Sequence, residues 1–235
     1  KPSKSKRVPG NKLNAHSERN YDMNEQQRAF MRVLSLIERA GCQQHVILIG
    51  SWVEFVYHEA GILTGFTPNI RTLDVDFLVK NLRRPNPPIS LAVLAQEEGF
   101  LVESDYFNRT TKLSDVSGLE VEFLISKVGA GVETSLKTNI GVTAQTLRHM
   151  EILFSNTIET VCLGYSVLVP TPEAYAVHKM IINIQRKNKA KKDINAVLGI
   201  WPYLDKIKVS RLLSELTKKE YKNVMKFMDA NEISQ

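Results

Sequence analysis

Leu73-Asp-Val-Asp-Phe-Leu-Val79 is an apolar run broken by two acids one position apart. Its length and composition predict a buried strand. Residues i and i+2 of a strand share a face, so Asp74 and Asp76 lie side by side while Val75 turns into the core. Like charges that close repel each other unless a cation or a basic partner neutralises them. The apolar neighbours Leu73, Phe77, Leu78 and Val79 disfavour the alternative, a wet face on an ordinary strand. Magnesium favours carboxylate oxygens together with substrate phosphates. The pair is therefore read as a divalent-metal site for phosphoryl or nucleotidyl transfer.

Working outward, His45-Val-Ile-Leu-Ile49 predicts a second buried strand, and Gly50-Ser51 follows it at the start of a helix with Val53, Val56 and Tyr57 inward. Glycine lets backbone approach a ligand closely, and a helix start offers free N–H groups and the positive end of a dipole. Ser51 is read as the cap and adds a hydroxyl. Alone this is an ordinary helix start; the acid pair downstream gives it a candidate ligand, a triphosphate. Downstream, Leu119-Glu-Val-Glu-Phe-Leu-Ile125 repeats the pattern, with Glu120 and Glu122 on one face. Glu122 is chosen as third carboxylate because it borders the Phe-Leu-Ile run, with Glu120 as its competitor. Arg71 either reaches a phosphate or pairs with Asp74, the two being equally open.

The remaining chain reads as alternating elements and then helices. Asn24 caps a helix that Gly41 ends. Another helix is expected over Ile89–Glu98, with strands at Phe100–Glu103 and Thr111–Leu113. Residues 126–148, with Gly129, Gly131 and Gly141, read as an irregular connection. Thr157–Leu163 and Tyr165–Val169 form a hairpin about Gly164. Thr171 caps the next helix with Pro172 at its first position, and the pattern stays helical to the C-terminus. The expected fold is an α/β (α+β) core with a mixed sheet, residues 23–169, followed by a helical domain, 170–235. Residues 1–22 read as a flexible leader. A groove between the two halves is the natural ligand site.

Composition narrows the classes. With 235 residues and 43% hydrophobic content the chain has material for a real core. No apolar run approaches the roughly 20 residues of a membrane span, and no apolar signal region opens the sequence, so a cytoplasmic protein without a membrane partner is expected. Two cysteines, Cys42 and Cys162, are too few for a disulfide framework or a cysteine zinc site. Residues 1–20 carry +5 of the net +6, so the basicity belongs to the leader; such a leader is more often solvated than bound to nucleic acid.

The succession of apolar strand, Gly50-Ser51, helix, Asp74-Val75-Asp76 and a later strand carboxylate resembles the nucleotidyltransferase fold superfamily, which includes DNA polymerase β and the minimal nucleotidyltransferases. In the helical half, Ala176-Val-His-Lys-Met180, Arg186 and Lys191-Lys192-Asp193 are similar to the helix motifs of bacterial toxin-type nucleotidyltransferases related to abortive-infection systems. The resemblance implies an NTP substrate and two Mg²⁺ (or Mn²⁺) ions, both bound by Asp74 and Asp76, with Glu122 joining on the ion that activates the acceptor hydroxyl. It implies that Gly50 and Ser51 contact the triphosphate, that Lys179 meets a phosphate, and that Lys192 and Asp193 line the pocket. Arg186 falls on the same helix side as Lys179. The implied acceptors are RNA (tRNA included), a protein side chain or a small molecule. The alternative is a catalytically inactive module of the same fold, a regulator or toxin–antitoxin component that binds a nucleotide or a partner protein. Lys187 and Lys189 read as a solvated basic turn, and His178 as a structural histidine without a role. The Ser51–Asp74 separation is longer than is usual for the superfamily.

Overall fold

The computed structural model describes residues 23–68, 72–104, 109–127, 129, 131–132, 134–186 and 188–234. The leader, Arg71 and Lys187 therefore lie outside the described residues. Within them the chain forms an α/β core with a mixed sheet, followed by C-terminal helices, as expected.

The sheet is built around β2 (Asp74–Val79). β1 (Val46–Ile49) runs antiparallel along one side of it, pairing Ile49 with Asp76. β5 (Glu120–Ser126) runs parallel along the other, pairing Asp74 with Glu120 and Asp76 with Glu122. The far edge of β5 is divided. β4 (Thr111–Ser114) pairs antiparallel with Glu120–Glu122, and β7 (Thr143–Leu147) pairs parallel with Leu124–Ser126. β3 (Leu101–Ser104) extends the sheet beyond β4, and β6 (Ser135–Lys137) beyond β7. Strand alternation then sorts the side chains. Val46, Leu48, Val75, Phe77, Val79, Val121 and Phe123 enter the main core. The opposite face carries the four acids and, further along the same strands, Ile47, Ile49, Leu78 and Leu124 in a second, smaller cluster.

α1 (Glu25–Arg39) begins at Asn24 with a reciprocal capping box to Gln27 and packs Phe30 on Trp52, ring centroids 4.3 Å apart. Trp52 opens α2 (Trp52–Glu59), which links β1 to the loop before β2. α3 (Leu91–Glu97) precedes β3. The stretch read as irregular holds β6 and β7, and α4 (Glu151–Ser155) follows. β7, Thr-Ala-Gln-Thr-Leu, buries Ala144 and Thr146 rather than large apolar residues, so it lacks the alternation by which a strand announces itself. The hairpin β8 (Thr157–Cys162) and β9 (Tyr165–Pro170) leads into α5 (Pro172–Asn183), whose cap Thr171 accepts a hydrogen bond from the Ala174 N–H. α5 is buried from Pro172 to Ile182 because α4, α6 (Ala190–Ile200), α7 (Lys206–Glu215) and α8 (Lys218–Ala230) pack around it. The main core runs without interruption from Ala29 in α1 to Met228 in α8. Cys42 and Cys162 are buried free thiols. No helix among the described residues is long and apolar enough to cross a membrane.

Candidate active site

A cleft of about 360 Å³ opens between the acidic face of the sheet and α5. Its sheet wall includes Gly50, Asp76 and Glu122; the opposite wall includes Tyr175, His178 and Lys179 of α5 and Arg186 just past the helix end. Parallel pairing of β2 with β5 sets Asp76 directly across from Glu122, and Asp74 across from Glu120. Burial first, and the Glu122 and Asp74 charges after it, push the Asp76 carboxyl up to about 6, against partial relief from Lys189 and Lys179. Gly50 holds φ at +75°, and a Cβ there would fall 2.3 Å from Asp76 Oδ2. Only glycine lets β1 turn into α2 this close to the acid.

The two glutamates are not equivalent. Lys112 on β4 donates to Glu120 at 2.8 Å and stands 3.4 Å from Glu122. Glu120 is thus paired on the outer strand, whereas Glu122 reaches the cleft. Asp74 lies one pair outward from Asp76 and accepts from Thr72 Oγ1 at 3.4 Å. Ser51 takes the N-cap place of α2, but its backbone is already helical and its side chain makes no capping bond, which corrects its reading as a working cap.

On the helical side, Lys179 is only 5% exposed and donates to Asp193 Oδ1 at 2.9 Å. Arg186 Nη1 meets the same oxygen at 3.4 Å. Asp193, 1% exposed, sits behind both cations and fixes them towards the cleft. Tyr175 donates to the buried Glu54 at 2.7 Å, which holds its ring 5.2 Å from the Lys179 ammonium. Lys192 lies outside the cleft lining; partial burial first, then Lys179 and Lys189, lower its pKa, and the charges of Asp74 and Asp76 oppose that only in part.

Two residues set aside in the sequence stand on the cleft. Lys189, read as part of a solvated turn, lines it and is the strongest cationic influence on Asp76. His178, given no role, lines it with its Nε2 buried and unpartnered. Tyr175, His178, Lys179 and Ile182 follow one another at i, i+3, i+4 and i+7 on α5, so extending the helix face back from Lys179 reaches Tyr175, whereas Arg186 lies beyond the end of the helix. Gln145 on β7 also lines the cleft, and no sequence signal marks it.

Among the described residues no three His, Cys, Asp or Glu side chains are grouped closely enough to hold a metal ion by themselves. Asp76 and Glu122, both partly exposed to the cleft, nevertheless form a mutually repelling pair of hard oxygen donors. Such a pair fits a magnesium ion that keeps its waters and shares the substrate's phosphates, and it does not fit a cation enclosed by protein alone.

The family model described as Nucleotidyltransferase matches residues 28–204. The crystal structure of an antigenic nucleotidyltransferase-like protein from Paracoccidioides brasiliensis is similar with a TM-score of 0.49 and 14% identity, covering 86% of this chain and 88% of that one. No curated protein matches the chain.

Proposed function

This chain belongs to the nucleotidyltransferase family, and from that premise we propose that it moves a nucleoside monophosphate from an NTP to an acceptor hydroxyl with Mg²⁺ or Mn²⁺ at Asp76 and Glu122. The observation that carries this reading is the pairing of Asp76 with Glu122 across a cleft from Lys179, Arg186 and Lys189. Carboxylates that repel on one wall and cations on the other suit a metal-bound polyphosphate.

In this reading Asp76 and Glu122 are the innermost metal ligands, and Asp74 supports them from the same strand face. Glu122 takes precedence over Glu120, which Lys112 occupies. Gly50 and Ser51 leave room for the phosphates beside Asp76. Lys179, Arg186 and Lys189 offset the charge of the triphosphate, while Asp193 positions the first two and Lys192 adds a more distant positive field. When bound, the divalent ion neutralises charge on the α-phosphate and the leaving pyrophosphate, and lowers the pKa of the attacking hydroxyl. The +5 charge of residues 1–20 supports an RNA acceptor over a small molecule.

Calorimetric titration of each NTP with Mg²⁺ into the full chain tests the reading. Binding is expected to need the metal and to vanish in Asp76→Asn; equal affinity in EDTA, or in that variant, sinks it. A second reading, binding without turnover, is favoured by the lack of a three-ligand group and by the approach of Lys112 to Glu122. Transfer of label from an α-³²P NTP to total RNA, present in the first reading and missing in the second, separates them.

A further inference from the structure

The cleft has two chemically different ends. Along β2 the residue after Asp76 on the same face is Leu78, and along β5 the residue after Glu122 is Leu124. Beyond the acids the surface therefore turns apolar. Ile49, Leu124, Leu147, Met150 and Leu153 build this end from four different elements, and Ile182 closes it from α5. Arg148, which also borders it, donates to the carbonyls of Gly129 and Gly131.

Gln145 stands beside Leu124 at this end, and His178 is the polar residue there that is left unpartnered. His178 is 6% exposed, and its Nε2 is shielded from solvent with no hydrogen-bond partner. Leaving a buried nitrogen unpaired is costly, and such orphans call for a ligand or a water. The imidazole is also uncharged: burial first, then the cations Lys179 and Arg186 and the neighbouring His149, push its pKa down to about 3. A neutral ring among cations is poorly suited to phosphate, which Lys179, Arg186 and Lys189 already serve, and well suited to the edge of a flat heterocycle.

Resting on the nucleotidyl-transfer reading, we propose that the apolar end is the nucleobase subsite and that His178 reads the base edge through Nε2, which makes it the residue that sets nucleotide selectivity. The base lies against Leu124, Leu147, Met150 and Leu153 with Ile182 over it. A base that offers His178 a complementary group satisfies the buried nitrogen; one that does not leaves it orphaned, and binds about ten- to a hundredfold more weakly.

The test is titration of ATP, GTP, CTP, UTP and inorganic tripolyphosphate, each with Mg²⁺, into the full chain and its variants. Wild type is expected to prefer its best NTP over its worst by at least about tenfold. His178→Leu should compress that range to under about threefold while leaving tripolyphosphate affinity unchanged. Leu147→Trp, at a half-buried position on the cleft, should fill the apolar end, weaken all four NTPs and spare tripolyphosphate, so a misfolded His178 variant does not decide the matter. Wild-type affinities within about threefold of one another overturn the proposal, as does equal loss of tripolyphosphate and NTP in His178→Leu. If neither NTP nor tripolyphosphate binds wild type, the nucleotidyl-transfer reading itself falls. If NTPs bind and Asp76→Asn abolishes it while both cleft variants keep the wild-type preference, only the base subsite falls.

Discussion

Asp76 sets function against stability. Its folded-state pKa, near 6, lies above the ordinary value of 3.8, so the folded protein binds the proton more tightly than the unfolded chain does. Folding stability therefore falls as pH rises from about 4 through 6, and above that range the ionised carboxylate costs at most about 3 kcal/mol. Asp76→Asn removes this cost. It should raise the metal-free Tm at pH 8 by about 5 °C and give no advantage near pH 3.5, as differential scanning calorimetry would show. The same variant should lose turnover. A Tm that is unchanged or lower at pH 8 would mean the carboxylate is already neutralised. Gly50 carries the complementary prediction. Gly50→Ala forces a left-handed side chain at about 1–2 kcal/mol and drives its Cβ into Asp76 Oδ2, the free end of a side chain that can swing away. Urea unfolding should show that modest loss, while NTP affinity drops at least about tenfold because Asp76 has left its place.

At the scale of elements, α5 is where positioning is concentrated. It starts cleanly because Thr171 and Pro172 fix its first turn, and Thr171→Ala should cost about 1 kcal/mol by urea melts without altering NTP affinity. Its middle turns depend on the buried Lys179–Asp193 pair, which ties α5 to α6. Lys179→Met leaves Asp193 buried with Arg186 alone, and a loss of about 3 kcal/mol is expected, the low end for breaking a buried pair. The Lys179→Met/Asp193→Asn double variant should lose less than the sum of the singles by at least about 1 kcal/mol. Strict additivity would show that the two side chains do not depend on each other. β7 makes the opposite point about elements. It completes the sheet beside Leu124 and brings Gln145 to the cleft, yet its small and polar residues gave no pattern to read.

For the whole molecule, one continuous core joins the sheet to the C-terminal helices, from Phe30 and Trp52 through Val169 and Met180 to Phe227. His149, between β7 and α4, also bonds Glu220 of α8 at 2.7 Å, a side-chain link between the two halves. The chain should therefore unfold as a unit: far-UV circular dichroism and tryptophan fluorescence should share one urea midpoint. Separate midpoints would show that the helices melt apart from the sheet, and the cleft between them would then lack a fixed geometry.

The strands other than β6 and β7, the Gly50 turn, the acid pair, the Thr171–Pro172 helix start and the switch to helices near residue 170 were legible in sequence, because each rests on local rules: strand alternation, glycine backbone freedom, capping and proline placement. Those same rules sufficed for the mixed α/β class. Partnership was not legible, since it depends on which strand lies beside which. Parallel pairing with β5 put Glu122, and not Glu120, opposite Asp76, and β4 brought Lys112 to occupy Glu120. Folding the turn before α6 back over the sheet turned Lys189 from an apparent surface charge into a neighbour of Asp76. Burial of α5 left His178 with a nitrogen that no local pattern could have marked as unpaired. Sequence determined the elements through interactions a few residues long; tertiary structure decided the charges and the unsatisfied atoms, because both are sums over neighbours that are distant in the chain.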